Sequence, residues 1–116
     1  MKWTVFFDED FISWLKKQEK ELQNSILTSA HLLEGYGPHL GRPHVDTLAG
    51  SSLSHLKELR VQYRGDPWRV LFAFDPKRRA ILLVGGNKRG DKRWYETHIP
   101  IAEARFDQHL KTMEKQ

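Results

Sequence analysis

The chain has 116 residues, of which 39% are hydrophobic and 11% aromatic, and it contains no cysteine. This length predicts a single domain, residues 1–116, that buries roughly two-thirds of the surface that the unfolded chain would expose. The lack of cysteine excludes disulfides, thiolate zinc sites and cysteine nucleophiles. No apolar run is long enough to span a membrane, and residues 1–10 lack the pattern of a signal peptide. We therefore expect a cytoplasmic protein with no membrane partner.

Positive charge is concentrated in one segment of the chain. The formal net charge is +4, but residues 57–94 hold eleven basic and four acidic side chains, a net charge of +7, which leaves −3 for the rest. A positive field of this kind complements a polyanion such as a nucleic acid, or an acidic segment of a partner protein. Residues 57–94 are therefore the part of the chain that we expect to bind such a partner.

The first third of the chain has the pattern of a strand followed by helices. Trp3, Val5 and Phe7 recur with a period of two, which predicts a short strand. Asp8 or Asp10 can cap the next helix, because a carboxylate accepts hydrogen bonds from the free N–H groups of a first turn. A second apolar stripe at helical spacing consists of Leu22, Ile26, Ala30 and Leu33. Two helices or one bent helix are expected, since neither Gly nor Pro separates them.

The rest of the chain predicts a connection, a meander of strands and a final helix. Gly and Pro residues between positions 35 and 55 indicate an irregular connection, with Leu40, Val45 and Leu48 as its anchors. Hairpin-sized turns then separate three predicted strands, Leu56–Tyr63, Trp68–Asp75 and Ala80–Gly86. Pro100 fits the first turn of the last helix, where a missing N–H does little harm. The order β-α-α-β-β-β-α predicts an α+β fold, an antiparallel sheet meander with the helices packed on one face.

Two local features of the basic segment have structural interpretations. The Lys77–Arg79 run fills a tight turn, where a group of charges is typical of solvated surface. Gly85 and Gly86 lack the spacing of a phosphate-binding loop and indicate a bulge or a close backbone approach at a strand end.

Five short motifs follow one another in a characteristic order. They are Leu48-x-Gly50, Leu56-Lys57-Glu58-Leu59-Arg60, Trp68-Arg69-Val70-Leu71, Gly86-Asn87-Lys88-Arg89 and Tyr95. In order and spacing they resemble the RelE/ParE toxin superfamily, and within it the HigB-like, phage-derived branch. The resemblance covers nearly the whole chain and implies the RelE-like fold.

The resemblance implies a toxin of a type II toxin-antitoxin pair. Its expected activity is that of a metal-independent endoribonuclease, which cleaves mRNA at the ribosome and so inhibits translation, with no cofactor. The implied partners are mRNA, the ribosome and a cognate helix-turn-helix antitoxin. Two alternatives stay open: a non-catalytic ParE-like toxin that inhibits DNA gyrase, and a non-toxic relative that only binds nucleic acid or an antitoxin.

The resemblance also implies site residues, which we expect to meet in one cleft. Arg69 and Arg89 match arginines that stabilise the phosphate and the transition state, and Tyr95 would stack on a base or assist proton transfer. Lys57, like Lys88, is a candidate for supplying positive charge near the leaving oxygen. Further RNA-binding candidates are Arg60, Lys88, Lys92 and Arg93.

The group that moves the proton is left open by the sequence. His98 is one candidate, because imidazole titrates near neutral pH. Glu58 is a second candidate base, although Glu58 and Arg60 share one strand face and could form a structural ion pair. No metal is expected, since His39 and His44 have no third ligand at a telling spacing.

Overall fold

The computed structural model describes residues 2–48 and 56–115, which form three helices and five strands. In chain order the elements are β1 (Thr4–Phe7), α1 (Glu9–Lys16), α2 (Lys20–Tyr36), β2 (Val45–Thr47), β3 (Lys57–Tyr63), β4 (Asp66–Phe74), β5 (Arg79–Asn87) and α3 (Trp94–Glu114). The α+β class and the predicted order are confirmed, with β2 as an addition. Gly50 of the first motif lies outside the described residues.

The strands form one sheet in the order β1-β5-β4-β3-β2. β1 is parallel to β5, and the other pairs are antiparallel. Arg64 and Gly65 connect β3 to β4 with φ angles of 50° and 82°, as a tight two-residue hairpin requires. The expectation that residues 35–55 hold no regular element was wrong for β2, where Val45 is buried and pairs with Leu59.

The two N-terminal helices pack on one face of the sheet. Asp8 caps α1 as predicted, since its Oδ2 accepts hydrogen bonds from the main-chain N–H groups of Asp10 and Phe11. The predicted apolar stripe of α2 is fully buried on this face. Its partners on the sheet are Leu59, Val61, Val70, Phe72, Ala80 and Leu82. The larger part of the core therefore lies between α1, α2 and this face.

The last helix packs on the opposite face, so the expectation that the helices share one face was wrong. Trp94, Ala102 and Phe106 of α3 are buried in a second cluster. Their partners include Leu56, Leu71, Ala73, Ile81, Leu83 and Val84. The physical reason is that β4 and β5 are apolar on both sides of the pleat, and a sheet with two apolar faces needs cover on both.

The helix α3 begins earlier than the sequence predicted. It starts at Trp94, so Pro100 lies inside it rather than in its first turn. Pro100 has no N–H to donate to the carbonyl of Glu96, which weakens the helix at that point. Trp94 before the proline and Phe106 after it are both buried in the second core cluster. This packing keeps the two parts in one helix and brings residues 94 and 95 onto an ordered element.

A buried carboxylate fastens α3 to the turn between β4 and β5. Asp75 is fully buried and accepts hydrogen bonds from Arg79 Nε at 2.7 Å and His109 Nε2 at 2.9 Å. Its other oxygen accepts from the main-chain N–H groups of Lys77 and Arg79. Arg78 lies over the ring of Trp3. Lys77 and Arg78 are exposed, as the sequence indicated for this turn, whereas Arg79 is partly buried and paired with Asp75.

We expect Asp75→Asn to lower the free energy of unfolding by about 2–3 kcal/mol at neutral pH, because it removes a buried charge that accepts hydrogen bonds from Arg79 and His109. Burial raises the pKa of Asp75, but the hydrogen bonds from His109 and Arg79 outweigh it and the pKa is lowered overall. The stabilisation is therefore present above the ordinary carboxyl pKa of about 3.9 and is lost as the pH falls through the folded value.

Urea unfolding of both proteins at several pH values checks this prediction. The difference between them should shrink in acid. The control is Asp107→Asn, which removes the same charge from an exposed pair with Lys111 and should cost less than about 0.5 kcal/mol. A difference that stays constant into the acid range would contradict the assigned role of Asp75.

Candidate functional site

A second buried carboxylate, that of Glu58, lies next to the start of α3. Glu58 of β3 and Arg69 of β4 point to the α3 face, and the Nε atom of Arg69 lies 3.3 Å from Oε1 of Glu58. Tyr95, in the first turn of α3, donates its hydroxyl proton to the same Oε1 at 2.5 Å. We call Glu58, Arg69 and Tyr95 the Glu58 cluster.

The strand register explains why these side chains meet. Arg60 of β3 pairs directly with Arg69 of β4, which places Glu58 diagonally opposite Arg69 on the same face. The structure therefore pairs Glu58 with Arg69, rather than with Arg60 as the simpler interpretation of the sequence had it. The site therefore consists of an ion pair between neighbouring strands, to which Tyr95 of α3 adds a hydrogen bond.

The Glu58 cluster is largely withdrawn from water. Glu58 is 7% exposed and Arg69 is 5% exposed. Charges buried to this extent are costly unless they are paired and hydrogen-bonded. Besides facing Glu58, Arg69 donates a hydrogen bond from Nη1 to the carbonyl oxygen of Trp68 at 3.0 Å. The cluster is therefore a rigid constellation of opposite charges.

The phenol of Tyr95 is held in its protonated form. Burial raises the pKa of Tyr95 to about 12, with the hydrogen bond to the Glu58 carboxylate and its negative charge as further causes. Arg69 acts in the opposite direction and does not cancel this effect. Tyr95 is consequently a hydrogen-bond donor at neutral pH, and it is not a base there.

Glycine at position 86 allows α3 to begin close to the cluster. Gly86 pairs with Arg69 across β4 and β5, and a Cβ atom there would lie 2.7 Å from Nε1 of Trp94. Trp94 is buried against this gap, and its ring lies 5.3 Å from that of Tyr95. The close approach predicted for this strand end is confirmed, and it positions Tyr95 over the sheet.

Gly86→Ala should lower the free energy of unfolding by about 1–3 kcal/mol, because the buried indole of Trp94 has no room to move away from a new methyl group. Urea unfolding and the near-ultraviolet circular dichroism of tryptophan check this. Gly35→Ala is the matched control, since Gly35 lies in α2 with nothing within 4 Å of its Cβ position. Equal stability of both variants would show that Trp94 adapts freely.

The tyrosinate absorbance of Tyr95, taken as the difference between wild type and Tyr95→Phe, should appear at a pH of about 12, not near the ordinary value of about 10. Glu58→Gln should move this midpoint down, because it removes a negative charge that opposes ionisation. Circular dichroism at the same pH values controls for unfolding. A midpoint near 10 in wild type would mean that the hydrogen bond to Glu58 is absent in solution.

The loop between β5 and α3 carries most of the predicted RNA-binding cations. The ammonium of Lys88 lies 5.4 Å from the centroid of the Tyr95 ring. Lys92 and Arg93 are exposed just before α3. Oδ1 of Asp91 accepts a hydrogen bond from the N–H of Arg93 at 3.0 Å, which shapes the entry into the helix. Lys88 is the loop cation that the described contacts bring to the Glu58 cluster.

Arg89, which was expected in one cleft with Arg69 and Tyr95, pairs with Asp66. Its Nη1 donates a hydrogen bond to Oδ1 of Asp66 at 2.6 Å, and its side chain is 72% exposed. The hydrogen bonds from Arg89 and then Asn87 lower the pKa of Asp66, so its carboxylate is ionised at neutral pH. The structure thus brings Arg69 and Tyr95 together at Glu58 and shows Arg89 held by Asp66. Sequence reasoning had counted Asp66 only as one of the acids of the basic segment.

The two remaining basic candidates on β3 lie on opposite faces. Lys57 precedes Glu58 and faces the other way by the pleat of the strand, with its Nζ 3.4 Å from Oγ1 of Thr47. Arg60 lies on the face of Glu58 and pairs directly with Arg69 of β4. Arg60 is therefore placed next to the cluster, and Lys57 is not.

The imidazole of His98 is engaged within α3. Its ring stacks on that of Trp94 at 4.1 Å, and its Nδ1 lies 2.7 Å from the carbonyl oxygen of Trp94. When Nδ1 carries the proton and donates it to this carbonyl, Nε2 is left as an acceptor. The hydrogen bond of His98 goes to the helix backbone and not to the Glu58 cluster.

Neither a group of metal ligands nor a membrane-spanning helix occurs in the part of the chain that the structure describes. Among residues 2–48 and 56–115, no three His, Asp or Glu side chains are grouped as metal ligands. Within the same residues no helix combines the length and apolar character needed to cross a membrane.

The fold is that of a RelE-type protein. A RelE toxin mutant from E. coli in the free state aligns with a TM-score of 0.62 and 12% identity, over 90% of this chain and 98% of that one. The archaeal RelE-RelB complex from Pyrococcus horikoshii OT3 aligns with a TM-score of 0.57 and 22% identity, over 78% and 99% of the two chains. At these identities the likeness shows the fold.

Sequence comparison then gives the family. Residues 13–107 match the family described as "Phage derived protein Gp49-like (DUF891)". "Putative toxin HigB3" of Mycobacterium tuberculosis (strain ATCC 25618 / H37Rv) is 46% identical over 98 residues, which are 84% of each chain. HigB2 of the same organism is 42% identical over 115 residues, 97% of this chain but 56% of HigB2. The chain belongs to the phage-derived Gp49-like family and is a HigB-like protein with the RelE fold, as the sequence motifs predicted.

Proposed function

We propose that the protein is the toxin of a type II toxin-antitoxin pair and that it cleaves mRNA at the Glu58 cluster without a metal ion. The observation that carries this proposal is the buried carboxylate of Glu58, which Arg69 and Tyr95 share on the most basic part of the chain. A carboxylate, a guanidinium and a phenol can supply the base, the positive charge and the proton donor that phosphodiester cleavage by an internal hydroxyl requires. The HigB relatives and the RelE fold support the same class of activity.

The reaction has three chemical requirements. The 2′-OH of a nucleotide loses its proton to a base and attacks the adjacent phosphorus, so that an O–P bond forms. The bond from phosphorus to the 5′-oxygen breaks, and this oxygen takes up a proton. The products are a 2′,3′-cyclic phosphate and a 5′-OH, and cations must stabilise the negative charge of the intermediate.

Glu58 is the base that this geometry favours. Its carboxylate already accepts a hydrogen bond from one hydroxyl group, that of Tyr95, so a ribose 2′-OH of similar geometry can take the same place. Arg69 compensates the buried negative charge of Glu58, and we assign it to bind a phosphate oxygen of the bound RNA. This guanidinium is fixed by the carbonyl of Trp68, and a fixed donor needs little reorganisation during the reaction.

Tyr95 and Lys88 complete the site. With a pKa of about 12, Tyr95 is protonated at neutral pH; it gives its proton to the leaving 5′-oxygen, which is a stronger base, and regains one from water. The ammonium of Lys88, above the ring of Tyr95, adds positive charge on the same side. Arg60, Lys92 and Arg93 extend the basic surface along the RNA, where contacts to phosphates provide affinity without sequence preference.

The same surface requires a partner that covers it when the toxin is inactive. One structural neighbour is a RelE-RelB complex, and the relatives bear the names of toxins. We therefore propose a cognate antitoxin of the helix-turn-helix class, together with mRNA on the ribosome as the substrate in the cytoplasm. Electrostatic attraction would speed the association with either partner, and added salt would slow it.

Glu58→Gln should reduce mRNA cleavage by a factor on the order of 10²–10⁴, because it keeps the shape of the side chain and removes the base. Primer extension on cellular transcripts after expression of each variant measures the loss, with growth inhibition as the second readout. The control is Glu96→Gln, which removes a charge from an exposed residue of the first turn of α3.

The outcomes of this experiment are distinct. Circular dichroism checks whether Glu58→Gln is folded. Tyr95→Phe serves as a second variant, because it leaves the buried charges of Glu58 and Arg69 paired. Equal cleavage by wild type and a folded Glu58→Gln protein would remove Glu58 as the base. Growth inhibition with intact transcripts and damaged DNA would favour a gyrase inhibitor. Harmless expression without a partner would favour a relative that only binds nucleic acid or its antitoxin.

A further inference from the structure

Three residues close a hydrogen-bonded ring at the end of β5. Asp66, the first residue of β4, accepts hydrogen bonds from Nη1 of Arg89 through Oδ1 at 2.6 Å and from Nδ2 of Asn87 through Oδ2 at 3.0 Å. Oδ1 of Asn87 in turn accepts from the main-chain N–H of Arg89 at 3.0 Å. We call Asp66, Asn87 and Arg89 the Asp66 ring. Both carboxylate oxygens and both polar atoms of the amide are used in it.

Lys88 lies between two members of this ring and is directed to the other side of the chain. Its N–H donates a hydrogen bond to the carbonyl oxygen of Pro67 at 3.1 Å, and its ammonium faces the ring of Tyr95. Asn87 is the last residue of β5, and its side chain is held on the side of Asp66. Lys88 follows it with its ammonium on the side of Tyr95, so the hold on Asn87 and Arg89 sets the direction in which Lys88 leaves the strand.

The ring has little to do with overall stability. The side chain of Asp66 is 24% exposed and that of Arg89 is 72% exposed, and ion pairs of this exposure contribute little to the free energy of unfolding. The loop beyond it is exposed at residues 89–93, and Gly90 has a φ of 73°. The hydrogen bonds of the Asp66 ring therefore hold the start of an exposed loop in place.

We propose that Asp66 is a positioning residue that holds the loop so that the ammonium of Lys88 faces Tyr95, with Arg89 as the tie and not as a phosphate ligand. The consequence for RNA cleavage rests on the proposed function, whereas the ordering of the loop does not. Asp66 acts here through Lys88 and has no contact with RNA.

Asp66→Asn tests the ring with a minimal change of shape. Asparagine offers one acceptor oxygen where aspartate offers two, so it cannot serve both Arg89 and Asn87. Asp91→Asn is the matched control: it removes the same charge from the same loop, and the amide oxygen of asparagine can still accept the hydrogen bond from the N–H of Arg93. Amide hydrogen exchange and the NMR shift of the Lys88 side chain, which the Tyr95 ring displaces, report on the loop without any RNA.

In Asp66→Asn we expect the amides of Lys88 and Arg89 to exchange roughly tenfold faster, with the strands unchanged and the Lys88 shift moved toward its unfolded value. Asp91→Asn should keep the wild-type Lys88 shift. An unchanged Lys88 environment in Asp66→Asn would overturn the proposal, whatever the protein does to RNA.

Single-turnover cleavage over a range of concentrations gives the second readout. Asp66→Asn should lower the maximal rate of cleavage roughly tenfold with little change in the half-saturating concentration. Adding Lys88→Ala should cause no further loss, because both substitutions remove the same contribution, that of a positioned Lys88 ammonium. Tighter RNA binding or faster cleavage by Asp66→Asn would overturn the proposal, because it would show that Asp66 withholds Arg89 from the phosphate. Additive losses would also overturn it. Absence of cleavage by wild type would refute the proposed function and leave the NMR result to decide on the ring.

Discussion

The structure at the candidate site depends on one buried negative charge, the carboxylate of Glu58. A carboxylate out of contact with water must be compensated, and here the compensation comes from Arg69 on the neighbouring strand and Tyr95 on the last helix. The requirement therefore ties two strands to the start of α3. The same arrangement brings a guanidinium and a hydroxyl to one carboxylate oxygen of Glu58. The interaction that holds this end of the fold therefore also assembles the groups on which the proposed cleavage depends.

The start of α3 has to come close to the sheet for this to happen, and two glycines make the approach possible. Gly85 faces Trp14 of α1 and Gly86 faces Trp94 of α3, and a Cβ atom added at either glycine would lie 2.7 Å from the nearest indole atom. An indole thus packs on each side of β5 at its last residues. Tyr95 is in place because Trp94 next to it fills the gap over Gly86.

Much of the fold could be predicted from the sequence, and the misses have physical causes. The α2 stripe and the Asp8 cap follow from local spacing alone, whereas the face that α3 covers follows from tertiary packing. The apolar runs of β4 and β5 carried that information, since strands apolar on both sides need two covers. The site was only half predictable: the family resemblance named Arg69 and Tyr95 as candidates, but which carboxylate each arginine meets depends on strand register and loop shape.

The local pairing of arginines also changes what the net charge of residues 57–94 means. Three of its four acids each hold one of its arginines: Glu58 holds Arg69, Asp66 holds Arg89 and Asp75 holds Arg79. Each of these arginines has a carboxylate within ion-pair distance, so much of its charge is compensated locally. The cations left for long-range attraction of a polyanion are therefore mainly exposed lysines and Arg93 around the loop. In the proposed function, affinity for RNA and the chemistry of cleavage therefore fall mainly to different side chains, and a charge count detects only the first.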